Sequence, residues 1–558
     1  MTNLSQHIIW PCTDPLSPYF RKVAYFSMEV AIDQSLKTYS GGLGFLAGSH
    51  LRSAHDQQQN IIGISLLWTK GYYTQNRAAD RGMQVDFVDS IYAFLHQTGI
   101  SFTVNVHGHE VVVNVLLLAA ETFGTAPVFF LTTDIPENDY LSRTITHRLY
   151  DPNTATRISQ SIILGIGGGR LLDILEEKID VYHLNEGHGL PLAFYLYAKH
   201  KSVSEVAKHL VFTTHTPELA GNEEHELSLL NEMNFFNGLP LEEVKQISHL
   251  KEDRLNYTLT ALRLSRKANA VSKIHGLVAN KMWNVNEKVC PIISITNAQN
   301  KKYWVDEKLD KAFQDNNNVL LMERKKELKK ELFKVVSDQT GQIFDPEILT
   351  IVWARRFAGY KRATLLMKNF ERFKHLTVRT DNPIQVIWAG KPYPEDWDGI
   401  NTFNYLQSST QGLTRCAVLT GYELELSALL KKGADVWLNT PRMTREASGT
   451  SGMTAAMNGA INFSVQDGWV PEFAKHNENG FYLPVTSSEL PLEDQDNIDN
   501  NNLMAMLEGE VIPTYYEHSD RWLEMMKKSM KDIYPAFGSD RMVNEYFEKL
   551  YAFVSMEN

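Results

Sequence analysis

The stretch EASGTSGMTAAMNGA, residues 446–460, sets Glu446 directly before a run of Gly, Ser and Thr that opens into a small-residue helix. A helix start exposes unpaired backbone N–H groups and a partial positive charge. The pattern therefore predicts an anion site, phosphate foremost, with the helix beginning between Ser448 and Met453. A second anion device stands upstream in IVWARRFAGYKR, residues 351–362, where Arg355, Arg356, Lys361 and Arg362 follow an apolar strand. Guanidinium and ammonium groups together suit phosphate, and ligands of α/β sheets collect just past the strand ends. Glu446 is the acid beside these cations, placed to accept hydrogen bonds from ligand hydroxyls.

Other polar residues fall in equivalent places. YSGGLGFLAG, residues 39–48, is a glycine turn leading into a helix, and its glycines allow a ligand close to backbone N–H groups. LGIGGGR, residues 164–170, fits inside a helix and reads as close packing. VYHLNEGHG carries His183, Glu186 and His188, but a strand sends the two histidines to opposite faces and no further cluster completes a metal set. VFTTHTPELAGN puts His215 at the end of a buried strand, where its role depends on what converges on it.

These residues need elements to hold them. At 558 residues the chain is long enough for two large domains, and 43% apolar and 22% charged residues are those of a globular protein. The net charge of −11 argues against general binding to nucleic acid or anionic membrane, so any anion site is a local basic pocket. Cys12, Cys290 and Cys416 are isolated and suit a reducing compartment. With no leader-like start and no membrane-length apolar run, the expectation is a cytoplasmic protein.

The first half offers strands at VAYFSM, IIGISLLW, APVFFLTT, VYHLNE, HLVFTTHT and IISITN. A hairpin at FTVNVHGHEVVVNVLLL turns at Gly108. A charged helix is predicted from Leu320 to Val336, with Leu321, Leu328, Leu332 and Val335 at helical spacing. A second series follows at LTIVWA, IQVIWAG, RCAVLTG, ADVWLNTP and GAINFSV, apolar on both faces as buried parallel strands are. The tail SDRMVNEYFEKLYAFV reads as a capped amphipathic helix. The order predicts an α/β protein of two doubly wound domains meeting at a cleft.

The ordered set YFSMEVAIDQ, SGGLGFLAG, HLNEGHG, FTTHTPELAG, ITNAQNKKYW, ARRFAGYKRATLL, WAGKPYPED, EASGTSGM and DRMVNEYF resembles the α-glucan phosphorylases, retaining glycosyltransferases, in their compact bacterial and archaeal form. The resemblance covers nearly the whole chain. It implies two Rossmann-like domains facing across a cleft, the GT-B architecture, with residues 1–300 on the glucan side and 301–530 on the phosphate side. A helix in 531–558 would return to the first domain. It further implies that the main-chain carbonyl of His215 faces positive charge developing at the anomeric carbon. Asn297 and Glu446 would hold glucose hydroxyls with Ser448 and Gly449 beside them. Arg356 and Lys361 would grip the substrate phosphate, and Gly41 and Gly42 would close over it. Arg355, Thr450 and Ser451 would surround the phosphate of pyridoxal 5'-phosphate, the family cofactor. The substrates implied are an α-1,4-glucan or maltooligosaccharide with phosphate or glucose 1-phosphate, without nucleic acid or membrane, in a possible homo-oligomer.

Thr454 breaks the pattern, because the family has at this position the lysine that forms an imine with the cofactor, and a hydroxyl cannot. Three readings follow: phosphorolysis with a cofactor held without a covalent link, transfer from UDP- or ADP-glucose, or a catalytically silent glucan-binding relative. The second draws on a resemblance of Arg356 and Lys361 to the basic pair that grips pyrophosphate in glycogen synthases. No carboxylate pair of the glycosidase kind is evident.

Overall fold

The computed structural model describes residues 10–553, and the chain divides into two compact units. One runs through Tyr72, Phe87–Asn297 and from Ser539 onward; the other comprises Tyr73–Asp86 and Ala298–Gly538.

The first unit is built on nine strands: β1 (Val23–Ser27), β2 (Ile61–Leu66), β3 (His96–Val106), β4 (His109–Leu118), β5 (Val128–Thr132), β6 (Val181–Asn185), β7 (Leu210–Thr213), β8 (Lys267–Ala270) and β9 (Ile292–Ser294). They lie in the order β9-β8-β7-β6-β1-β2-β5-β4-β3. The seven from β9 to β5 are parallel, and β4 and β3 add an antiparallel hairpin at one edge. His107 and Gly108 both have positive φ, which gives the hairpin a turn whose twist matches its strands. Every residue of β1 is buried, as a parallel strand covered on both faces requires. The strand order reverses between β1 and β6, so Ser27 and Asn185 end the two strands at a topological switch point, where polar residues gather.

The second unit repeats the logic with six parallel strands: β10 (Leu349–Ala354), β11 (Ile384–Ala389), β12 (Cys416–Leu419), β13 (Val436–Asn439), β14 (Ile461–Ser464) and β15 (Gly480–Tyr482). Their order, β12-β11-β10-β13-β14-β15, is that of a doubly wound sheet with its switch point between β10 and β13. The chain is thus α/β, with one large mixed sheet and one parallel sheet. The sequence pattern missed β8, in KANA, and β15, in GFY. Both are too short and too plain in composition to declare themselves, and each is a strand because of the neighbour it pairs with.

The long helix spans Asn318–Thr340, beyond the predicted ends, and stops at Gly341 with φ 71°. Its buried face includes Lys325 and Lys329 among the leucines. Lys325 Nζ donates to the carbonyls of Lys432 (2.8 Å) and Asn458 (2.9 Å), so the ammonium meets helix ends with free acceptors. Asn458 closes the helix Ser451–Met457, whose Met453, Ala456 and Met457 pack with Trp469, Phe473 and Phe537. That helix starts at Ser451, at the late end of the predicted window. Gly449 has φ 82°, and the Ser448 carbonyl accepts from Trp469 N, so residues 448–450 form a loop.

LGIGGGR lies in a π turn that runs into the helix Gly168–Ile174, and its glycines are packed tight. A Cβ on Gly168 would sit 2.4 Å from the Phe26 ring, and one on Gly165 2.6 Å from Leu192 N. The tail folds as Ser539–Glu545 and continues as a π turn through Leu550, within the first unit; Val554 lies outside the described residues. Residues 531–537 complete the helix Ser519–Phe537 of the second unit, where Ile533 and Phe537 are buried.

One glycine sets the backbone near the cations of the second unit. Gly390, directly after β11, has φ 153°, and a Cβ there would lie 1.7 Å from the Arg355 carbonyl oxygen. Gly390→Ala is expected to cost more than about 2 kcal/mol in urea-melting stability, because both the dihedral and the overlap must be relieved by moving Arg355.

Candidate functional site

The carboxyl ends of β10 and β13 hold the second unit's charged corner. Arg355 follows β10 directly, and its Nη2 donates to Glu446 Oε2 at 2.7 Å. Lys361 Nζ donates to both oxygens of the same carboxylate, at 3.1 and 3.3 Å. The three side chains are 3%, 12% and 9% exposed for Arg355, Lys361 and Glu446, so two cations share one acid away from bulk water. Burial alone would favour a protonated Glu446, but Arg355 and Lys361 outweigh it and hold the carboxyl at about 2. Burial also pulls the Lys361 ammonium down to about 7, aided by Arg355 and Arg356 and opposed by Glu446. Arg356 is exposed and hydrogen-bonds the Tyr360 phenol, whose ionisation burial and Glu446 both oppose. The corner carries surplus positive charge, and an arriving anion would compensate it.

Arg362 aims Lys361. Its guanidinium donates to the carbonyls of Thr440 and Pro441, both at 2.9 Å, and pairs with Asp499 at 2.7 Å and Asp496 at 3.0 Å. Arg442 N donates to the Tyr360 carbonyl at 2.8 Å, so the loop after β10 is stitched to the loop after β13. Glu446 is set from the other side, where its N–H donates to Asp467 at 2.9 Å. Burial lifts that Asp467 carboxyl to about 6. Gly449 leaves room for the ion pair, since a Cβ there would stand 3.1 Å from Glu446 Cγ and 3.2 Å from Arg355 Nη2. Arg355 Nη1 and Ser448 Oγ are buried without a hydrogen-bond partner, which in a native protein marks a place for a ligand or water. Thr450 and Ser451 open the helix, and Ser451 Oγ accepts from Trp437 Nε1 at 3.3 Å. Thr454 is fully buried, and its Oγ1 donates to the Ser451 carbonyl at 3.0 Å.

The first unit places a second set of residues at its own switch point. Glu29, just past β1, is buried and accepts from Ser40 N (2.7 Å), Gly41 N (3.2 Å) and Tyr150 Oη (2.8 Å). It thereby pins the glycine turn that starts the helix Gly42–Asp56, while Gly41 and Gly42 have open space where a Cβ would point. Glu186, just past β6, holds φ 72°, uncommon for a side-chain-bearing residue, and accepts from His215 N (2.5 Å) and Thr216 Oγ1 (3.1 Å). Burial raises its carboxyl above the usual range. His215 Nε2 lies 2.7 Å from Asn185 Oδ1, and Asn185 Nδ2 donates to Ser27 Oγ, so the imidazole carries its proton on Nε2. Burial, with His275 and His188 nearby, drives His215 down to about 3, which keeps it neutral. Asn297 is buried, its N–H bonded to the Val271 carbonyl and its Oδ1 without a partner.

The sequence therefore named Arg355, Lys361, Glu446, Ser448 and Gly449 as neighbours, and the structure brings them together. Arg355 is the guanidinium on Glu446 beside Lys361, while Arg356 is exposed next to them. Gly41, Gly42, His215 and Asn297 belong to the other unit. Glu29, Tyr150, Tyr360, Gly390 and Asp467 were missed, although for Glu29 the signal was present as an acid directly after a buried strand. His183 is structural, with Nδ1 2.8 Å from Tyr551 Oη and Nε2 2.7 Å from Thr213 Oγ1. Among the described residues no group of three or more His, Cys, Asp or Glu could hold a metal, and no helix is long and apolar enough to cross a membrane.

Residues 256–506 match the family described as Carbohydrate phosphorylase. The maltodextrin phosphorylase of Thermococcus litoralis is 34% identical over 95% of this chain and 70% of its own length. The glycogen phosphorylase of Aquifex aeolicus is 31% identical over 97% of this chain and 87% of its own. A protein of Methanocaldococcus jannaschii described as uncharacterized is 44% identical over 95% of this chain and all of its own length.

Two measurements probe this geometry. Sulfate is a dianion from about pH 6 to about pH 9, so any change in its affinity over that range belongs to the protein. Lys361 is charged below about 7 and loses its proton above, so sulfate should bind more weakly as pH rises through that value. Lys361→Arg should flatten the curve, whereas a flat wild-type profile would separate Lys361 from the anion. In Glu186→Gln one backbone or hydroxyl donor faces an amide N–H in place of an oxygen. Hydrogen exchange at residues 214–216 should then quicken about tenfold or more, equivalent to about 1.4 kcal/mol of local stability.

Proposed function

As the chain belongs to the carbohydrate phosphorylase family, we propose that it transfers glucosyl units with retention between an α-1,4-glucan and inorganic phosphate, releasing glucose 1-phosphate. The observation that carries this reading is the buried Arg355–Glu446–Lys361 corner, which holds more cation than anion and leaves Arg355 Nη1 and Ser448 Oγ unpartnered. Phosphate there takes up a share of Lys361 and, with Arg356, stays fixed against the reacting carbon. Such fixed charge favours the transition state because it costs no reorganisation when the bond breaks. Glu446 and Asn297 orient the glucose hydroxyls, and the closing contact comes from the Gly41–Gly42 turn. His215 acts through its main-chain carbonyl, in keeping with an imidazole that stays neutral.

Pyridoxal 5'-phosphate, implied by the family, does not fit as an imine-bound group. The matching position is Thr454, whose hydroxyl is buried and returned to its own helix. The same observation favours a second reading, in which UDP- or ADP-glucose is the donor and its pyrophosphate lies on Arg356 and Lys361. A silent glucan-binding relative is the third.

One assay separates the three. Maltooligosaccharide with inorganic phosphate should yield glucose 1-phosphate. Chain extension only from a nucleotide sugar would move the assignment to the second reading, and no turnover with either would leave the third. Borohydride reduction after incubation with pyridoxal 5'-phosphate should leave no pyridoxyl group on the peptide containing residue 454. In Thr454→Lys, a pyridoxyl label on that peptide would reveal a pocket that still accepts the group.

A further inference from the structure

A small pocket open to solvent lies in the second unit beside β12 and is lined by Arg77, Arg81, Gln339, Gln342, Gln407 and Gln411 with smaller neighbours. Arg77 and Arg81 come from the hairpin Thr74–Arg77 and Met83–Asp86, which belongs to this unit. No residue lining the cavity is acidic, in a chain with eleven more acids than bases. Arg77 is anchored: it donates to the carbonyl of Val418 at 2.5 Å, to that of Arg81 at 3.0 Å and to Gln407 Oε1 at 2.8 Å. Arg81 is exposed and, among the described residues, has no ion-pair partner. Burial disfavours the charge on Arg77, and the neighbouring Arg81 guanidinium adds to that. The turn does not need the second arginine, because Asp80 already receives the Gly82 N–H at 2.9 Å. Two like charges kept together beside a cavity with no internal counter-ion are the arrangement that an external anion relieves.

The rest of the lining narrows the anion. Gln342 Nε2 donates to the Cys416 carbonyl at 3.0 Å, which leaves Gln342 Oε1 buried without a partner. That atom can only accept, from a donor such as a hydroxyl; Thr340 and Thr410 line the same pocket, but their hydroxyls already donate to the carbonyls of Val336 and Leu406. We propose that this cavity is a second anion site, separate from the Glu446 corner, and that it takes the phosphoryl group of a small hydroxyl-bearing phosphomonoester between Arg77 and Arg81. Inorganic phosphate shares the phosphoryl chemistry and lacks the carbon-borne hydroxyls that would reach Gln342.

The test is made on the full chain carrying Arg356→Ala and Lys361→Ala, so that it depends neither on turnover nor on the Glu446 corner. Calorimetric titration at low ionic strength with glycerol 3-phosphate, inorganic phosphate and sulfate should still detect binding. Adding Arg81→Ala should weaken it about tenfold or more. Arg81 is exposed, so an unchanged melting temperature would certify the fold of that variant. Tighter binding of glycerol 3-phosphate, lost in Gln342→Leu, supports the hydroxylated ester; equal binding of inorganic phosphate assigns the site to the phosphoryl group alone. No binding in the double variant, or binding that Arg81→Ala leaves untouched, overturns the proposal.

Discussion

The buried carboxylate of Glu446 is the constraint around which the second unit is arranged. A charge removed from water must be answered by an opposite charge at hydrogen-bonding distance, and here two cations answer one acid. The consequence reaches the backbone: Gly390 has no side chain because the Arg355 carbonyl fills that space, and Gly449 has none because the ion pair does. Arg362, itself satisfied by two carbonyls and two aspartates, fixes the turn from which Lys361 projects. Loss of Glu446 would leave two cations unanswered inside the protein.

The first unit meets the same problem, a buried carboxylate, with different donors. Glu29 and Glu186 stand at the ends of the two strands that flank its switch point, and each is answered by N–H and O–H donors, with no lysine or arginine on either oxygen pair among the described residues. Their acceptor capacity holds two pieces of irregular backbone, the turn before Gly42 and the segment at His215. The strained dihedral at Glu186 is tolerated because three donors converge on its carboxylate. Regular strands need no such clamps; loops that end them do.

Thr454 sits in a helix whose packing is made by other side chains. The helix that carries it is packed by Met453, Ala456, Met457 and Trp469, and capped from behind by Lys325, none of which depends on the side chain at 454. A hydroxyl can be absorbed there because it finds a carbonyl one turn back. Arg355, Lys361 and Glu446 are held by contacts of their own.

Much of this protein was legible in its sequence. Apolar runs bounded by polar punctuation gave away β1, β2, β10, β11 and β13, because a parallel strand buried on both faces has no polar alternation to conceal it. The position of Arg355 and Lys361 after such a strand announced a charged corner, since charges there cannot enter the sheet. What composition could not announce was pairing. Short strands such as β8 and β15 exist only through their neighbours, and Glu29 and Asp467 act on segments 11 and 21 residues away along the chain. The choice of Arg355 over Arg356 as the partner of Glu446 turned on which of two adjacent side chains faces inward. Residue types and local spacing determined what chemistry the chain could hold; which donors meet which acceptors was decided by tertiary structure, because hydrogen bonds and ion pairs are set by distances in space that the order of residues does not contain.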